Sequence, residues 1–221
     1  MKSSRKQRLF SYLVPQRVAT YNSVHNGKID VIQSFGNYYL SAGGLMQSGT
    51  FLERVWTVGL KKLRFTSRPV VRTLLLGLAG GSMVRVLNRL YPGVHITAID
   101  IDPVMVQAGK DYLGLNESEY FQIQIADAAQ FVNQALNTSS RYDFIFVDLY
   151  RGHEIAAFVT SESFLNSLRE LLTPHGILVF NRLYFQTYKN EADNFFDRIS
   201  GLFGNVRKAK SYSNLLVAIQ K

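Results

Sequence analysis

Residues 73–102 read TLLLGLAGGSMVRVLNRLYPGVHITAIDID, and their order decides the fold. An apolar run over 73–76 enters a glycine-rich turn, Gly77-Leu78-Ala79-Gly80-Gly81-Ser82. A helical pattern follows over 83–90, and a second apolar run ends on Asp100. Strand, tight turn, helix, strand, acid is the order of a nucleotide- or nucleoside-binding α/β half. Glycines admit a ligand close to the backbone, and the helix opening there offers unpaired N–H groups. A carboxylate at the tip of the second strand lies where a ribose presents its hydroxyls.

Outward from this stretch, strands and helices alternate. Strands are expected at 72–76, 95–100, 121–125, 144–148, 176–181 and 215–219. Helices are expected at 82–91, 103–113, 128–136, 161–172 and 190–203. Near-continuous apolar strands such as Phe144-Ile145-Phe146-Val147 suit a sheet covered on both faces. The fold class is therefore α/β, a doubly wound, mostly parallel Rossmann-like sheet of the seven-stranded type, with its crevice at the strands' carboxyl ends. Upstream, short runs at 18–21, 29–33 and 38–41 are separated by Asn26-Gly27, Gly36-Asn37 and Gly43-Gly44. They predict a small antiparallel element of two or three strands, followed by a helix over 51–63. The chain divides into residues 1–66, a basic N-terminus with the small β element and a linking helix, and 67–221, the nucleoside-binding domain.

Composition narrows the classes. The 221 residues are 47% hydrophobic and 19% charged, as expected of a folded globule rather than a disordered chain. Lysine and arginine number 25 against 16 acids, a formal charge of +9, part of it crowded at Lys2, Arg5, Lys6 and Arg8. That cluster reads first as a solvated terminus. No cysteine is present, which excludes disulfides, thiolate metal sites and a cysteine nucleophile. His25, His95, His153 and His175 lack metal-ligand spacing, so no metal is expected. No run approaches a membrane span and no secretory signal is legible, so a cytoplasmic protein is the expectation.

Four features fall at the tips of four successive strands: the turn 77–82, Asp100 with Asp102, Asp127 with Ala128, and Asp148 with Tyr150. An open parallel sheet converges such tips on one crevice. A dinucleotide turn wants glycine at its first, third and sixth positions, whereas here the third is Ala79 and the sixth Ser82. Asp127 has no use for pyrophosphate but would accept from an adenine amino group. An adenosyl nucleoside bearing a sulfonium fits better than NAD. Asp102-Pro103 reads as a helix cap and first turn.

LLLGLAGGS, AIDIDPVMVQAGKDYLGL, IADAAQFV, YDFIFVDLY and FLNSLRELLTPHGILVFN resemble the class I S-adenosylmethionine-dependent methyltransferase superfamily, in particular its spermidine synthase-like, polyamine aminopropyltransferase branch. The β element with Leu45-Met46-Gln47 and its helix looks like that branch's N-terminal region. The resemblance implies that Asp100 with Ile101 binds the ribose and that Asp127-Ala128 binds the adenine. Gly77, Gly80 and Gly81 would face the sulfonium side chain, with Gln47 over the nucleoside. Asp148 falls on the acid/base aspartate, and a homodimer is implied.

Departures from that pattern bear on the reaction. The branch carries GGGDGG, and its aspartate slot is Gly80 here. It carries Asp-Ser-Ser-Asp where this chain has Asp148-Leu149-Tyr150-Arg151, and its tyrosine and glutamate after Gln47 become Trp56 and Val58. A polycation in a partly dry cleft needs paired carboxylates. Exchanging one for Arg151 turns attraction into repulsion. Losing the acid at Gly80 suits a donor that keeps its methionine carboxylate, with Arg151 or Arg85 to meet it. The reading is therefore methyl transfer from S-adenosylmethionine to a small-molecule or protein amine. Aminopropyl transfer from decarboxylated S-adenosylmethionine is the alternative, and a non-catalytic nucleoside- or nucleic-acid-binding protein the second alternative. Asp148 and Tyr150 are the catalytic candidates, and Asn181-Arg182 is a further candidate at the acceptor.

Overall fold

The computed structural model describes residues 5–65, 68–151 and 154–221. After a short helix α1 (Arg5–Phe10) come four antiparallel strands in sequential order: β1 (Gln16–Ser23), β2 (Gly27–Ser34), β3 (Asn37–Ala42) and β4 (Leu45–Ser48). Helix α2 (Thr50–Leu63) leads into β5 (Arg72–Leu76), α3 (Ser82–Leu90), β6 (His95–Asp100), α4 (Pro103–Leu113), β7 (Phe121–Ile125), α5 (Ala128–Leu136) and β8 (Tyr142–Val147). A two-stranded ribbon, β9 (Tyr150–Arg151) with β10 (Glu154–Ile155), and a 3-10 turn (Ala157–Thr160) precede α6 (Glu162–Glu170). Then β11 (Leu172–Leu183), α7 (Tyr188–Leu202), β12 (Val206–Ser211) and β13 (Asn214–Gln220) complete the chain.

The large sheet has seven strands in the order β12-β13-β11-β8-β5-β6-β7. β5 pairs in parallel with both β6 and β8, β6 with β7 and β8 with β11, while β13 runs antiparallel to both its neighbours. The chain leaves β5 toward β7 and returns to β8 on the other side. The switch point, where such sheets open a crevice, thus lies between the carboxyl ends of β5 and β8.

Period-two side-chain alternation divides β8 between two cores. Phe144 and Phe146 join Trp56 and Leu60 of α2 and Leu87 of α3 on one face. Ile145 and Val147 join Val132 of α5, Leu165 of α6 and Ile199 of α7 on the other. The small sheet has its own core: Ile29, Val31 and Leu40 pack on Met105 and Ala108 of α4. Polar bonds fasten the same interface. Tyr21 donates to Asp111 at 2.7 Å, and Ser23 and Asn26 donate to Asp102 at 2.6 and 2.7 Å.

Besides the β9–β10 ribbon and the 3-10 turn, three further elements depart from the sequence reading. β4 is a fourth strand of the small sheet. α1 begins in the basic terminus, where Arg8 is exposed and Lys2 lies outside the described residues. β12 is a seventh strand of the large sheet, hidden in the sequence because Arg207, Lys208 and Lys210 leave no apolar alternation on an edge strand held by β13. Lysines on such an edge discourage pairing with other chains. Among the described residues no helix is long and apolar enough to cross a membrane.

Candidate active site

The turn after β5 is shaped by contacts no other residue type would permit at Gly77. Its φ is +91°, and a Cβ there would fall on the carbonyl oxygen of Asp148. Asp100 clamps the next two residues of the turn: Oδ2 accepts from the N–H groups of Leu78 and Ala79 at 2.9 and 2.8 Å, while Oδ1 accepts from Asp102 at 2.9 Å. That grip holds Ala79 at φ +48°, a left-handed conformation that costs a non-glycine residue about 1 kcal/mol or more. Burial pushes Asp100 up from the ordinary carboxylate range, opposed by those three donors and reinforced by nearby Asp102.

The turn is also tied to the N-terminal segment. Gly80 N–H donates to Ser48 Oγ at 2.7 Å, and Ser82 Oγ accepts from Gly49 N–H at 2.9 Å. Gly81, at φ +79°, is the N-cap of α3 and supplies no side-chain cap. The first N–H groups of α3 therefore lack side-chain partners, and Ser82 and Met83 line the crevice.

One cavity at the switch point is lined by Gly77, Asp100, Ile101, Asp127, Ala128, Asp148, Tyr150 and Gln47. Asn26, Ser48, Leu52, Trp56 and Met105 complete its wall. Asp127 caps α5 by accepting from Gln130 N–H through Oδ1 at 3.0 Å. Asp102 is buried and caps α4 through Oδ1, while Oδ2 takes the two bonds from the β1–β2 turn. Burial disfavours its charge, but donation from Asn26, Ser23, Met105 and Val104 prevails and holds it below the usual carboxylate range.

Gly80 and Gly81 stand apart from this cavity. A Cβ at Gly80 would lie 2.6 Å from Leu113 and 2.9 Å from Leu40, and one at Gly81 would strike Leu115. Both pack closely against α4, and Gly80 also against β3; neither lines the cavity. Arg85 is likewise committed elsewhere. Its Nε donates to Glu53 at 2.6 Å, and its Nη atoms donate to the Gly80 and Leu113 carbonyls and to Ser82 Oγ at 3.1–3.3 Å. It braces the turn from behind and does not line the cavity, so it is not placed to meet a donor's carboxylate. The side chain of Arg151 and all of His153 lie outside the described residues. His95 packs its ring against Tyr120, tilted by 54°, at the amino end of β6, away from the crevice.

Asp148 follows β8, its N–H bonded to the Leu76 carbonyl at 2.8 Å. Burial pushes its carboxyl up to about 6; Asn181, donating to Oδ1 at 2.9 Å, pulls it down, and Asp100 adds repulsion. A second cleft shares Gln47, Leu52, Asp148 and Tyr150 with the first. It continues past Leu45, Met46, Phe51, Asn181, Leu183, Phe185 and Asn214. Tyr150 lends its ring to both, but its hydroxyl is occupied: it accepts from Leu183 N–H at 2.9 Å and donates to the Asn181 carbonyl at 3.3 Å. Burial raises the phenol far above its ordinary range. Arg182 turns away and lies 4.5 Å from the Phe195 ring centroid. Asn214 and Ser48 were absent from the sequence reading. They reach the site through strand pairing and a distant turn, with no local motif to mark them.

Sheet order, a glycine turn clamped by a strand-end acid, and a crevice at the switch point define a Rossmann-like α/β protein with a cavity between β5 and β8. Within that class the family is shown by sequence: residues 64–212 match the spermine/spermidine synthase domain, and the chain belongs to that family. It is 28% identical over 158 residues to a polyamine aminopropyltransferase of Vibrio vulnificus, covering 72% of this chain and 52% of that protein. It is 30% identical over 117 residues to the eEF1A lysine and N-terminal methyltransferase of Bos taurus, covering 49% of this chain and 17% of that protein. This chain thus spans about half of one relative and a sixth of the other. A probable spermidine synthase from Corynebacterium glutamicum has the same fold, with a TM-score of 0.75, 16% identity, and coverage of 91% of this chain and 79% of that one.

Proposed function

We propose that this chain is an S-adenosylmethionine-dependent transferase that methylates an amine. The observation that carries this reading is the charge of the second cleft, where Asp148 is the one carboxylate among its described lining residues. A diamine or triamine held there would have no second carboxylate, among the described lining residues, to pair its remote ammonium groups. A single amine needs only one partner. Gly80 supports the same choice: it carries no acid where aminopropyltransferases carry one, and Leu113 and Leu40 lie against it.

The first cavity suits an adenosyl donor. Gly77 leaves the space a Cβ would fill, and Asp127 has one oxygen outside its cap. Asp100 accepts three backbone bonds with room for more, since each carboxylate oxygen has two lone pairs. The free N–H groups of Ser82 and Met83 offer an anion site for a methionine carboxylate. Bound there, the donor supplies an electrophilic carbon beside its sulfonium. The chain's part is to align the acceptor and manage its proton. Asp148, titrating at about 6, is mostly ionised at neutral pH yet more basic than an ordinary carboxylate. It therefore serves as acceptor for the amine's proton. Tyr150, its hydroxyl bonded to backbone, shapes the passage with its ring.

Aminopropyl transfer is the second reading, favoured by the extent of the match to the Vibrio enzyme. Mass spectrometry after incubation with each donor, offering putrescine and lysine-containing peptides, separates the two. A methyl mass added to a peptide or monoamine is the expected result. An aminopropyl mass on putrescine, or no transfer from either donor, overturns the proposal.

A further inference from the structure

Behind Asp148 the acceptor cleft contains a row of side-chain amides whose donors all point one way. Ser213 Oγ donates to Asn214 Oδ1 at 3.1 Å, Asn214 Nδ2 to Asn181 Oδ1 at 2.9 Å, and Asn181 Nδ2 to Asp148 Oδ1 at 2.9 Å. Both asparagines are 5% exposed, so water cannot replace a lost partner freely. The sheet register explains the meeting. Phe180 pairs with Val147 across β11 and β8, which puts Asn181 beside Asp148 one position on. Leu183 pairs with Asn214 across β11 and β13, which brings Asn214 in on the diagonal.

An asparagine amide can usually present either end to a neighbour. Asn181 cannot, because Asn214 occupies its carbonyl oxygen with a donor and leaves only its NH₂ for Asp148. We propose that Asn214 and Asn181 are positioning residues that fix Asp148 as a proton acceptor and reserve its Oδ2 for the incoming amine. Oδ1 already accepts from the Asn181 amide while Oδ2 accepts no bond among the described residues, so Oδ2 is the more basic oxygen and takes the proton leaving the acceptor's nitrogen, the N–H bond breaking as the O–H bond forms. Tyr150 supports the arrangement by gripping the backbone of Asn181 and Leu183. Burial, and then Asp100 from β6 by repulsion, work against ionisation of Asp148; Asp127 lines the same cavity. Arg182 on β11 is turned to the Phe195 ring and supplies no direct partner. Donation from the amides is thus the interaction that keeps this buried carboxylate ready at neutral pH.

The inference rests on Asp148 being the proton acceptor of the proposed transfer, but its test requires neither donor nor acceptor. The carboxyl carbon of Asp148 is followed by NMR as pH is raised in the full chain. The wild type is expected to titrate at about 6. Asn181→Leu removes the donated bond and moves the midpoint up by about one pH unit. Asn214→Leu frees the Asn181 amide to turn its oxygen toward Asp148 and moves the midpoint the same way by less. An unchanged midpoint in Asn214→Leu overturns the proposal. Should either variant fail to fold, the wild type decides: the Asn181 side-chain amide protons track the Asp148 titration if the bond exists, and their indifference overturns it. Transfer activity is scored separately, so an inactive protein with the expected titration shifts counts against the transferase reading alone.

Discussion

The two halves of the crevice are built by different means. The side over β5, β6 and β7 is made from contiguous sequence, and its acids are anchored by backbone N–H groups: Asp100 by Leu78, Ala79 and Asp102, Asp127 by Gln130. The side beyond Asp148 is assembled from three distant segments, around residues 45–52, 181–185 and 213–214, and its carboxylate is anchored by one side-chain amide. Backbone anchoring fixes geometry whatever the neighbouring side chains are. Side-chain anchoring can be retuned by a single substitution. A family that contains both aminopropyl- and methyltransferases among this chain's relatives would vary the second side and keep the first.

The largest effect that would sharpen this contrast is expected from Gly77→Ala. A Cβ at φ +91° against the Asp148 carbonyl distorts the turn, costing about 3 kcal/mol of stability and over about 100-fold in S-adenosylhomocysteine affinity. Denaturant titration and calorimetry read the two losses. An alanine variant that binds normally would break the account of the turn.

Asp148→Asn is expected to act in the opposite direction on stability. The folded-state value of about 6 lies above the ordinary 3.8, so the folded chain holds the proton more tightly than the unfolded one. Stability is then lost as pH rises through that interval, amounting to about 3 kcal/mol once the group is ionised. The asparagine variant should be more stable than wild type at pH 8, by up to that amount, and nearly equal to it at about pH 4. Its turnover should fall at least about 100-fold with donor binding retained. Equal stability at both pH values would show that the carboxylate is better solvated than its burial implies.

Arg85→Met is expected to cost about 2 kcal/mol, because it removes the brace to Glu53, Gly80 and Ser82. The variant should leave the preference between carboxylated and decarboxylated donors unchanged. A switch in preference would restore Arg85 to the donor site. The smallest effect is expected from Tyr150→Phe, about 1 kcal/mol for two bonds to the β11 backbone, with turnover within a few-fold of wild type. A loss of several hundred-fold there would make the hydroxyl a participant in the chemistry.

The same division explains what could be read from sequence. The mostly parallel sheet and the gathering of Gly77, Asp100, Asp127 and Asp148 follow from strand tips, because parallel topology converges them without reference to side-chain contacts. Gly80 and Gly81 were harder, since a glycine forced by packing on Leu113 and Leu115 looks the same in sequence as one facing a ligand. Arg85 lies one turn into α3 and resembles a ligand clamp until Glu53, far upstream, is seen to hold it. Asn214 and Asn181 meet only through the antiparallel return of β13, and no spacing rule announces that. β12 was concealed by the charges that protect its edge.

The most direct test of the central claim is calorimetric titration of S-adenosylmethionine into the full chain, repeated in the Gly77→Ala and Asp148→Asn variants. One-to-one binding that is lost in the first variant and kept in the second is expected if the backbone-anchored side holds the donor. Absence of binding in the wild type, or binding lost only in Asp148→Asn, would contradict it.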